Sequence, residues 1–167
     1  MYFKRGFIIK GAIPPQDARP NTPTPPPSFV LHGEHYLVML HDSDNADVDP
    51  RTVLVVPITS AEGEQRRAHR EGRSIFSSYI PLAAADYPFL DHDSYVSTSQ
   101  IMPINRNWLI NYVDQIHEDK MAEIDLQVVH NVGLMETVSQ MAEQIYELRR
   151  IREAAAAAQQ FTTDSPS

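Results

Sequence analysis

Short apolar runs separated by polar segments dominate the first two thirds of the chain. Their β-branched and aromatic residues predict strands at 3–11, 35–40, 52–58, 79–82 and 94–104. The runs at 35–40 and 52–58 are apolar at nearly every position, and a segment rich in turn residues separates them. We therefore expect these two strands to form an antiparallel pair that is buried on both faces.

The last third of the chain changes to a helical period. Asp119 is a suitable N-cap for a first helix, and Gly133 predicts a break after it. A second helix is indicated by apolar residues in steps of four and three: Leu134, Val138, Met141, Ile145 and Leu148. This stripe is either part of a core or a surface for a partner or a second copy of the chain.

Strands without helices alternating between them favour a small barrel or curled sheet over a βαβ arrangement. The predicted class is therefore mainly β with C-terminal helices, or α+β. We place a barrel domain at 1–134, a helical extension at 135–160 and a disordered tail at 161–167. Within the barrel domain, residues 13–28 form a loop, because 14–27 alone hold seven of the 13 prolines.

Composition narrows the possible functions. The chain has no cysteine, which excludes disulfides, thiolate nucleophiles and cysteine-bound metals. Its formal net charge of -8 disfavours generic binding to DNA. No apolar run approaches the roughly 20 residues that span a bilayer, and 1–6 lack a signal-peptide core, so we expect a cytoplasmic protein without a membrane partner.

Two hydroxyl residues directly follow the predicted strand at 52–58. The side chains of Thr59 and Ser60 can donate hydrogen bonds to a phosphate oxygen or to a ribose hydroxyl. Serine and threonine also satisfy backbone groups at strand ends without any further function. The residues by themselves leave both interpretations open.

The segment that follows is basic. Residues 66–73 carry four arginines (Arg66, Arg67, Arg70 and Arg73) against one glutamate, and we expect a loop that can bind a polyanion. The alternative is a solvated loop whose arginines pair with Glu62 and Glu64. The string Asp91-His92-Asp93 is interpreted as a loop and not as a metal site, because adjacent residues cannot all face one ion.

The stretch Pro57-Ile58-Thr59-Ser60 resembles a strand end of the PemK/MazF family of toxins. Arg5-Gly6 matches the opening of that family, Gln100-Ile101 matches part of its Asp-Gln-Ile strand, and 127–134 resembles its closing helix. The resemblance covers roughly residues 3–134. It implies an SH3-like barrel of the PemK/MazF/CcdB type that is a homodimer, cleaves single-stranded RNA without a metal or other cofactor, and is opposed by a cognate antitoxin.

In such relatives the 2′-hydroxyl of the RNA attacks the neighbouring phosphate. The resemblance places Thr59, Ser60 and His35 at the catalytic site. It assigns RNA contacts to Ser99 and Gln100. The four arginines of 66–73 are assigned phosphate contacts because their local positive charge directly follows Thr59 and Ser60.

The chain departs from the family pattern at two positions. His35-Tyr36 stands where the family has a catalytic Arg-Pro pair, and Ser99 stands for the aspartate of the Asp-Gln-Ile strand. Histidine can act as a base or as a cationic donor near neutral pH, but it does not carry arginine's permanent forked charge. A second hypothesis is therefore an inactive barrel that acts as a binding module through its C-terminal helix. A third, inhibition of DNA gyrase by a related barrel, shares only the fold.

Overall fold

The strands of the described residues all end before residue 116, and two of the three helices follow them. The structure, a computed structural model, describes residues 2–14, 31, 33–43 and 49–163. Its strands are β1 Phe7–Ile13, β2 Gly33–Met39, β3 Thr52–Ser60, β4 Tyr79–Leu82, β5 Ser94–Ser97, β6 Met102–Asn105 and β7 Leu109–Gln115. The helices are α1 Ala61–Glu71, α2 Glu118–Asn131 and α3 Met135–Thr163, and a 3₁₀ turn at Arg106–Trp108 precedes β7.

The strands form one antiparallel sheet in the order β4-β5-β3-β2-β1-β7, with β6 also paired to β3. The predicted pairing of β2 with β3 is confirmed by the register Leu37↔Pro57, Val38↔Val56 and Met39↔Val55. This sheet followed by helices confirms the α+β class.

The strand predicted at 94–104 is two strands that lie along the same edge of β3. Strand β5 pairs with the end of β3, whereas β6 pairs with its beginning. The residues between β5 and β6 are not paired with β3, and Thr98 among them is hydrogen-bonded to the residue before β4. Its backbone N–H and its Oγ1 both donate to the carbonyl of Ser78, at 2.9 and 2.8 Å.

The apolar residues of β1, β2 and β3 alternate between two buried clusters. One cluster contains Ile8, Val38, Val56 and Ile58, together with Met121 and Ile124 of α2. The other contains Ile9, Leu37, Met39, Val53 and Val55, together with Ile104 of β6. Because successive strand residues point to opposite faces, a strand buried on both faces must be apolar at consecutive positions. This explains the uninterrupted runs in the sequence.

The first strand begins later than predicted. The chain turns at Arg5-Gly6, and β1 runs from Phe7 to Ile13 and not over 3–11. Phe3 still enters the core, with only 2% of its surface exposed. A Cβ on Gly11 of β1 would lie 2.6 Å from Cδ1 of Leu37, so a larger residue there would force the buried Leu37 side chain to shift.

The basic segment predicted as a loop is helical, which corrects the sequence interpretation. Helix α1 carries Glu62 and Glu64 in its first turn and His69 and Arg70 in its last, and it ends at Gly72 with φ 64°. Charges in this order favour a helix, and a left-handed glycine is its usual terminator. The buried residues of α1 are Ala61, Glu64 and Ala68. Two alanines and a glutamate do not form the stripe of large apolar residues by which a helix is predicted from sequence.

Strand β7 was not predicted. Its pairing with β1 shifts register twice, between Ile8 and Ile9 and between Lys10 and Gly11. These irregularities break the alternation of buried and exposed residues that identifies a strand in a sequence.

The chain divides into two compact units, Met1–Asn131 and Val132–Ser167. In the first unit, α2 begins at Glu118, so Asp119 lies in its first turn and is not its N-cap. In the second unit, α3 extends to Thr163, three residues into the predicted tail. The predicted break at Gly133 is confirmed, since neither helix includes it.

Some sequence predictions concern residues that the structure does not describe. Apart from Ile13 and Pro14, the proline-rich loop at 13–28 lies outside the described residues, as do residues 164–167 of the predicted tail. Among the described helices, none combines the length and the apolar character that crossing a membrane requires.

Candidate active site

Strand β3 ends in two half-buried hydroxyl residues. Thr59 pairs with Tyr95 of β5, and Ser60 pairs with Ser94. Ser60 is also the residue before α1, but its side chain makes no capping hydrogen bond. Within the part of the chain that the structure describes, neither hydroxyl has a hydrogen-bond partner. Both groups can therefore bond to a ligand.

His35 lies on β2, the strand next to β3, but the ladder between the two strands does not extend to it. The β2–β3 ladder ends at Leu37↔Pro57, and continuing its register by two residues would place His35 opposite Thr59. The strands are not paired there; His35 is paired with Gly11 of β1 instead. We call His35, Thr59 and Ser60 the β2–β3 mouth. The structure thus places the three predicted catalytic residues on neighbouring strands, beyond the last pair of the β2–β3 ladder.

Sequence reasoning did not identify two residues near the mouth, Tyr95 and Gln65. Tyr95, the strand partner of Thr59, packs its ring edge-on against Tyr79, with 5.7 Å between ring centroids. Nε2 of Gln65 on α1 donates to the Tyr95 hydroxyl at 3.5 Å. No sequence signal marks these residues, because their proximity to Thr59 depends on the strand register and on the position of α1.

Three of the predicted RNA-binding arginines already contact carboxylates. Arg66 lies 3.7 Å from Glu62, and Arg67 lies 3.6 Å from Glu64; both arginines are mostly exposed. The third, Arg73, lies beyond the helix. Arg70 is exposed and makes no ion pair with any described residue.

Arg73 has the most constrained surroundings of the four. Its guanidinium lies 2.7 Å from Glu64, whose side chain is only 3% exposed, and 2.7 Å from Glu71. It also stacks 3.9 Å from the centre of the Phe76 ring. The hydrogen bond that Arg73 donates to Glu71 and its interaction with Glu64 raise the pKa of Arg73 above its usual value. Arg73 therefore neutralises a buried carboxylate and fixes the chain that leaves α1.

Ser99 and Gln100 lie away from the mouth. They belong to the turn between β5 and β6, whereas Thr59 and Ser60 pair with residues near the beginning of β5. The Gln100 backbone N–H donates to the Ser97 carbonyl at 3.1 Å. The structure therefore places these two residues at the other end of β5 from the predicted catalytic residues.

Comparison with known proteins identifies the family. A family model described as "PemK-like, MazF-like toxin of type II toxin-antitoxin system" matches residues 33–132. The chain belongs to this family. The match includes the β2–β3 mouth, α1 and the turn with Ser99, so the two departures from the family pattern lie inside it. A search of curated protein sequences found no significant match.

Solved structures confirm the PemK/MazF-like fold. MazF from Deinococcus radiodurans is 14% identical over 80% of this chain and 98% of its own, with a TM-score of 0.53. A MazE-MazF structure from the same organism gives 15% identity, coverage of 78% and 96%, and a TM-score of 0.52. A structure described as "Endoribonuclease from Mycobacterial species" gives 13% identity, coverage of 79% and 92%, and a TM-score of 0.50.

The Arg5-Gly6 pair of the PemK/MazF pattern lies in a separate cleft of about 340 Å³. Arg5 and Gly6 line it together with the end of β7 and the first turns of α2. The Arg5 guanidinium forms an ion pair with Asp125 of α2, and the Arg5 backbone N–H donates to Asp42 at 2.7 Å. These contacts tie the chain before β1 to α2 and to the segment that follows β2, so Arg5 has a structural role.

Among the described residues, no three His, Asp or Glu side chains converge in a way that could hold a metal ion. Residues 91–93 form a loop, as predicted, and Oδ1 of Asp93 accepts a hydrogen bond from the Ala84 backbone at 3.0 Å. This contact gives Asp93 a structural role in the loop.

Proposed function

We propose that this PemK/MazF-like chain is an endoribonuclease that cleaves single-stranded RNA without a metal, as one half of a toxin–antitoxin pair in the cytoplasm. The observation that carries the proposal is the β2–β3 mouth. His35 and two hydroxyls that have no hydrogen-bond partner among the described residues lie on neighbouring strands, beyond the last pair of the β2–β3 ladder. Family membership supplies the reaction class, and the mouth supplies the groups that the reaction needs.

The proposed reaction is an internal transfer at one phosphate. His35, when neutral, takes the proton of the ribose 2′-hydroxyl, whose oxygen then bonds to the adjacent phosphorus. The bond from phosphorus to the 5′-oxygen breaks, and that oxygen takes a proton from solvent. The products are a 2′,3′-cyclic phosphate and a 5′-hydroxyl end.

Negative charge develops on the phosphate oxygens during this step. The hydroxyls of Thr59 and Ser60 donate hydrogen bonds to these oxygens, and such donors are most effective where charge appears in the transition state. Because the hydroxyls have no hydrogen-bond partner among the described residues, they bind the phosphate without first breaking an internal bond.

Helix α1 adds phosphate contacts beyond the cleaved nucleotide. It starts directly after Ser60, and at 1.5 Å per residue Arg66 and Arg70 follow about 9 and 15 Å further along its axis. A single strand of RNA that leaves the mouth along α1 would meet Arg66, Arg67 and Arg70 with its backbone. On this proposal, Ser99 and Gln100 bind a more distant part of the RNA strand, and the chain acts as a homodimer.

Incubation with unstructured RNA in excess chelator tests the proposal. We expect fragments with cyclic phosphate and 5′-hydroxyl ends, and we expect their loss in the double variant His35→Gln with Thr59→Val. RNA that stays intact in the presence of the folded full-length chain would contradict the proposal.

A second candidate function is an inactive barrel that binds partners through its C-terminal helix. It is favoured by the replacement of the family's Arg-Pro by His35-Tyr36 and by the ion pairs that engage three of the four arginines. The variant His35→Arg separates the two functions. If the natural chain is silent and this variant cleaves RNA, the barrel has kept its site but lost its cation.

A further inference from the structure

Phe76 is a large apolar side chain that the fold leaves in contact with solvent. It lies in the segment between α1 and β4, belongs to neither buried cluster, and has 53% of its surface exposed. The guanidinium of Arg73 lies over its ring, 3.9 Å from the centre. A ring that is covered on one face and is more than half exposed presents its other face to a ligand.

The surroundings of Phe76 are held in place by several contacts. The guanidinium that covers the ring lies 2.7 Å from the buried carboxylate of Glu64, and its Nη1 donates to the Ser74 carbonyl at 3.0 Å. The Phe76 carbonyl accepts a hydrogen bond from the backbone N–H of Tyr79 at 3.1 Å. Because its neighbours are already ordered, the ring loses little conformational freedom when a ligand stacks on it.

The turn after Phe76 is hydrogen-bonded to the turn between β5 and β6. The Ser78 carbonyl accepts bonds from the backbone N–H and Oγ1 of Thr98, at 2.9 and 2.8 Å. Phe76 precedes Ser78 by two residues, and Gln100 follows Thr98 by two, a reach of about 7 Å of chain in each case. The side-chain amide of Gln100 has no hydrogen-bond partner among the described residues. An exposed ring and an available amide therefore belong to two turns that are bound together.

Helix α1 connects this pair of turns to the β2–β3 mouth. It begins directly after Ser60, and the segment with Phe76 follows its end. Arg70, in its last turn, is exposed and makes no ion pair with any described residue. Single-stranded RNA is bound by surfaces that combine cations for the backbone with aromatic rings for unstacked bases. The mouth, α1 and Phe76 offer this combination in sequence.

We infer that Phe76, supported by Arg73, is the stacking platform for one unpaired base of the RNA, beyond the cleaved nucleotide. This role rests on the proposed function, because it takes single-stranded RNA as the ligand. It makes Arg73 a support for the ring and not a phosphate contact. Because every base has a π-face, a single aromatic platform adds affinity with little preference for sequence.

Binding of a short single-stranded 2′-fluoro RNA tests the platform, because this RNA lacks the 2′-hydroxyl that the proposed reaction requires and is not cleaved. In the full-length chain, Phe76→Ala should weaken binding by about 5- to 150-fold, the range for one base stacked on an aromatic ring. Phe76→Tyr keeps a ring and should bind like the natural chain, whereas Phe76→Leu should bind like Phe76→Ala. Tyr112→Ala is the matched control and should not change binding, because Tyr112 is 47% exposed and lies on β7, at the edge of the sheet opposite β4.

RNA strands with one abasic position distinguish stacking from a purely structural role of Phe76. We expect one position at which loss of the base weakens binding to the natural chain by a similar factor. At that position Phe76→Ala should show no further loss, since the two changes remove the same contact. An abasic penalty that Phe76→Ala retains at every position would overturn the platform. Equal binding by Phe76→Ala and the natural chain would also overturn it and would leave Phe76 to a protein partner.

Cleavage of unmodified RNA is measured separately, so that the platform and the ribonuclease activity can fail independently. Intact RNA, together with a base-dependent loss of binding in Phe76→Ala, would contradict the activity and support the platform. Cleavage by the natural chain, with unchanged binding in Phe76→Ala, would overturn the platform alone. A natural chain that binds none of the strands would overturn the platform as well.

Discussion

The β2–β3 mouth and helix α1 meet at Ser60, yet their polar side chains have opposite surroundings. In the mouth, the hydroxyls of Thr59 and Ser60 have no hydrogen-bond partner among the described residues. On α1 and just beyond it, carboxylates lie within 4 Å of Arg66, Arg67 and Arg73. The mouth can bind a phosphate directly, whereas α1 must first exchange partners.

This difference shows that the number of arginines in a segment does not give the positive charge available to a ligand, because nearby carboxylates neutralise part of that charge. Exposed ion pairs contribute only about 0–1 kcal/mol, so a phosphate can displace Glu62 from Arg66 at little cost. Arg73 differs, because it is the cation nearest to a carboxylate that is almost fully buried. On the proposed function, Arg70 is therefore the arginine best placed to contact RNA, and Arg73 is the least able to do so.

The largest expected effect in the mouth is that of His35→Gln. On the proposed mechanism this change removes the group that accepts the 2′-hydroxyl proton, and such groups contribute roughly 10²–10⁴-fold in rate. Single-turnover cleavage of a short RNA measures the loss, with His69→Gln on α1 as the matched control. Equal rates for the two variants would assign the proton transfer to another residue.

The change Thr59→Val keeps the size of the side chain and removes its hydroxyl. Loss of one donor to a developing oxyanion costs roughly 10²–10³-fold in rate, and we expect a loss in that range with the fold intact. Thr52→Val, at the other end of β3, is the control for effects on the strand. If both threonine variants cleave RNA like the natural chain, the hydroxyl of Thr59 belongs to ordinary strand-end chemistry.

The buried strands were predictable because their apolar runs have a single physical explanation, burial on both faces of a sheet. The two-faced burial of β2 and β3 follows directly from their sequences. Helix α1 was not predicted because its buried side consists of two alanines and a glutamate, and these residues do not form a row of large apolar side chains in the sequence. Strand β7 was missed because its two register shifts leave no regular alternation.

The candidate site was predictable only in part. Thr59 and Ser60 were found through a short motif, and His35 through its position before the second apolar strand. Their placement on neighbouring strands depends on the pairing of β2 with β3, which local residue types do not specify. The ion pair between Arg73 and Glu64 depends on how the chain folds back after Gly72. The amino-acid composition of this segment does not reveal which arginine contacts Glu64.

Among the arginines, the variant Arg73→Gln should have the largest effect on stability. It leaves the 3%-exposed carboxylate of Glu64 without its nearest cation, and an uncompensated buried charge is strongly unfavourable. We expect the melting temperature to fall by several degrees, whereas Arg66→Gln, which breaks only an exposed pair, should leave it nearly unchanged.

The double variant Glu64→Gln with Arg73→Gln sharpens this test. It removes the buried charge together with its partner, so part of the lost stability should return. If Arg73→Gln melts at the same temperature as Arg66→Gln, then Arg73 is as replaceable as an exposed arginine, and the contrast within this segment disappears.

The smallest expected effect is that of Arg70→Gln on RNA binding. Arg70 has no carboxylate to leave, so each phosphate that it contacts releases counterions, and its loss should flatten the salt dependence of binding by a slope of about 0.7. Arg66→Gln should change the slope less, because a phosphate that binds Arg66 replaces Glu62 and alters the net charge at that place less. Titrations of single-stranded RNA at several salt concentrations compare the two variants. Equal slopes would show that the pairing of Arg66 with Glu62 does not change its contribution to RNA binding, and Arg66 and Arg70 would then act as equivalent members of a simple basic patch.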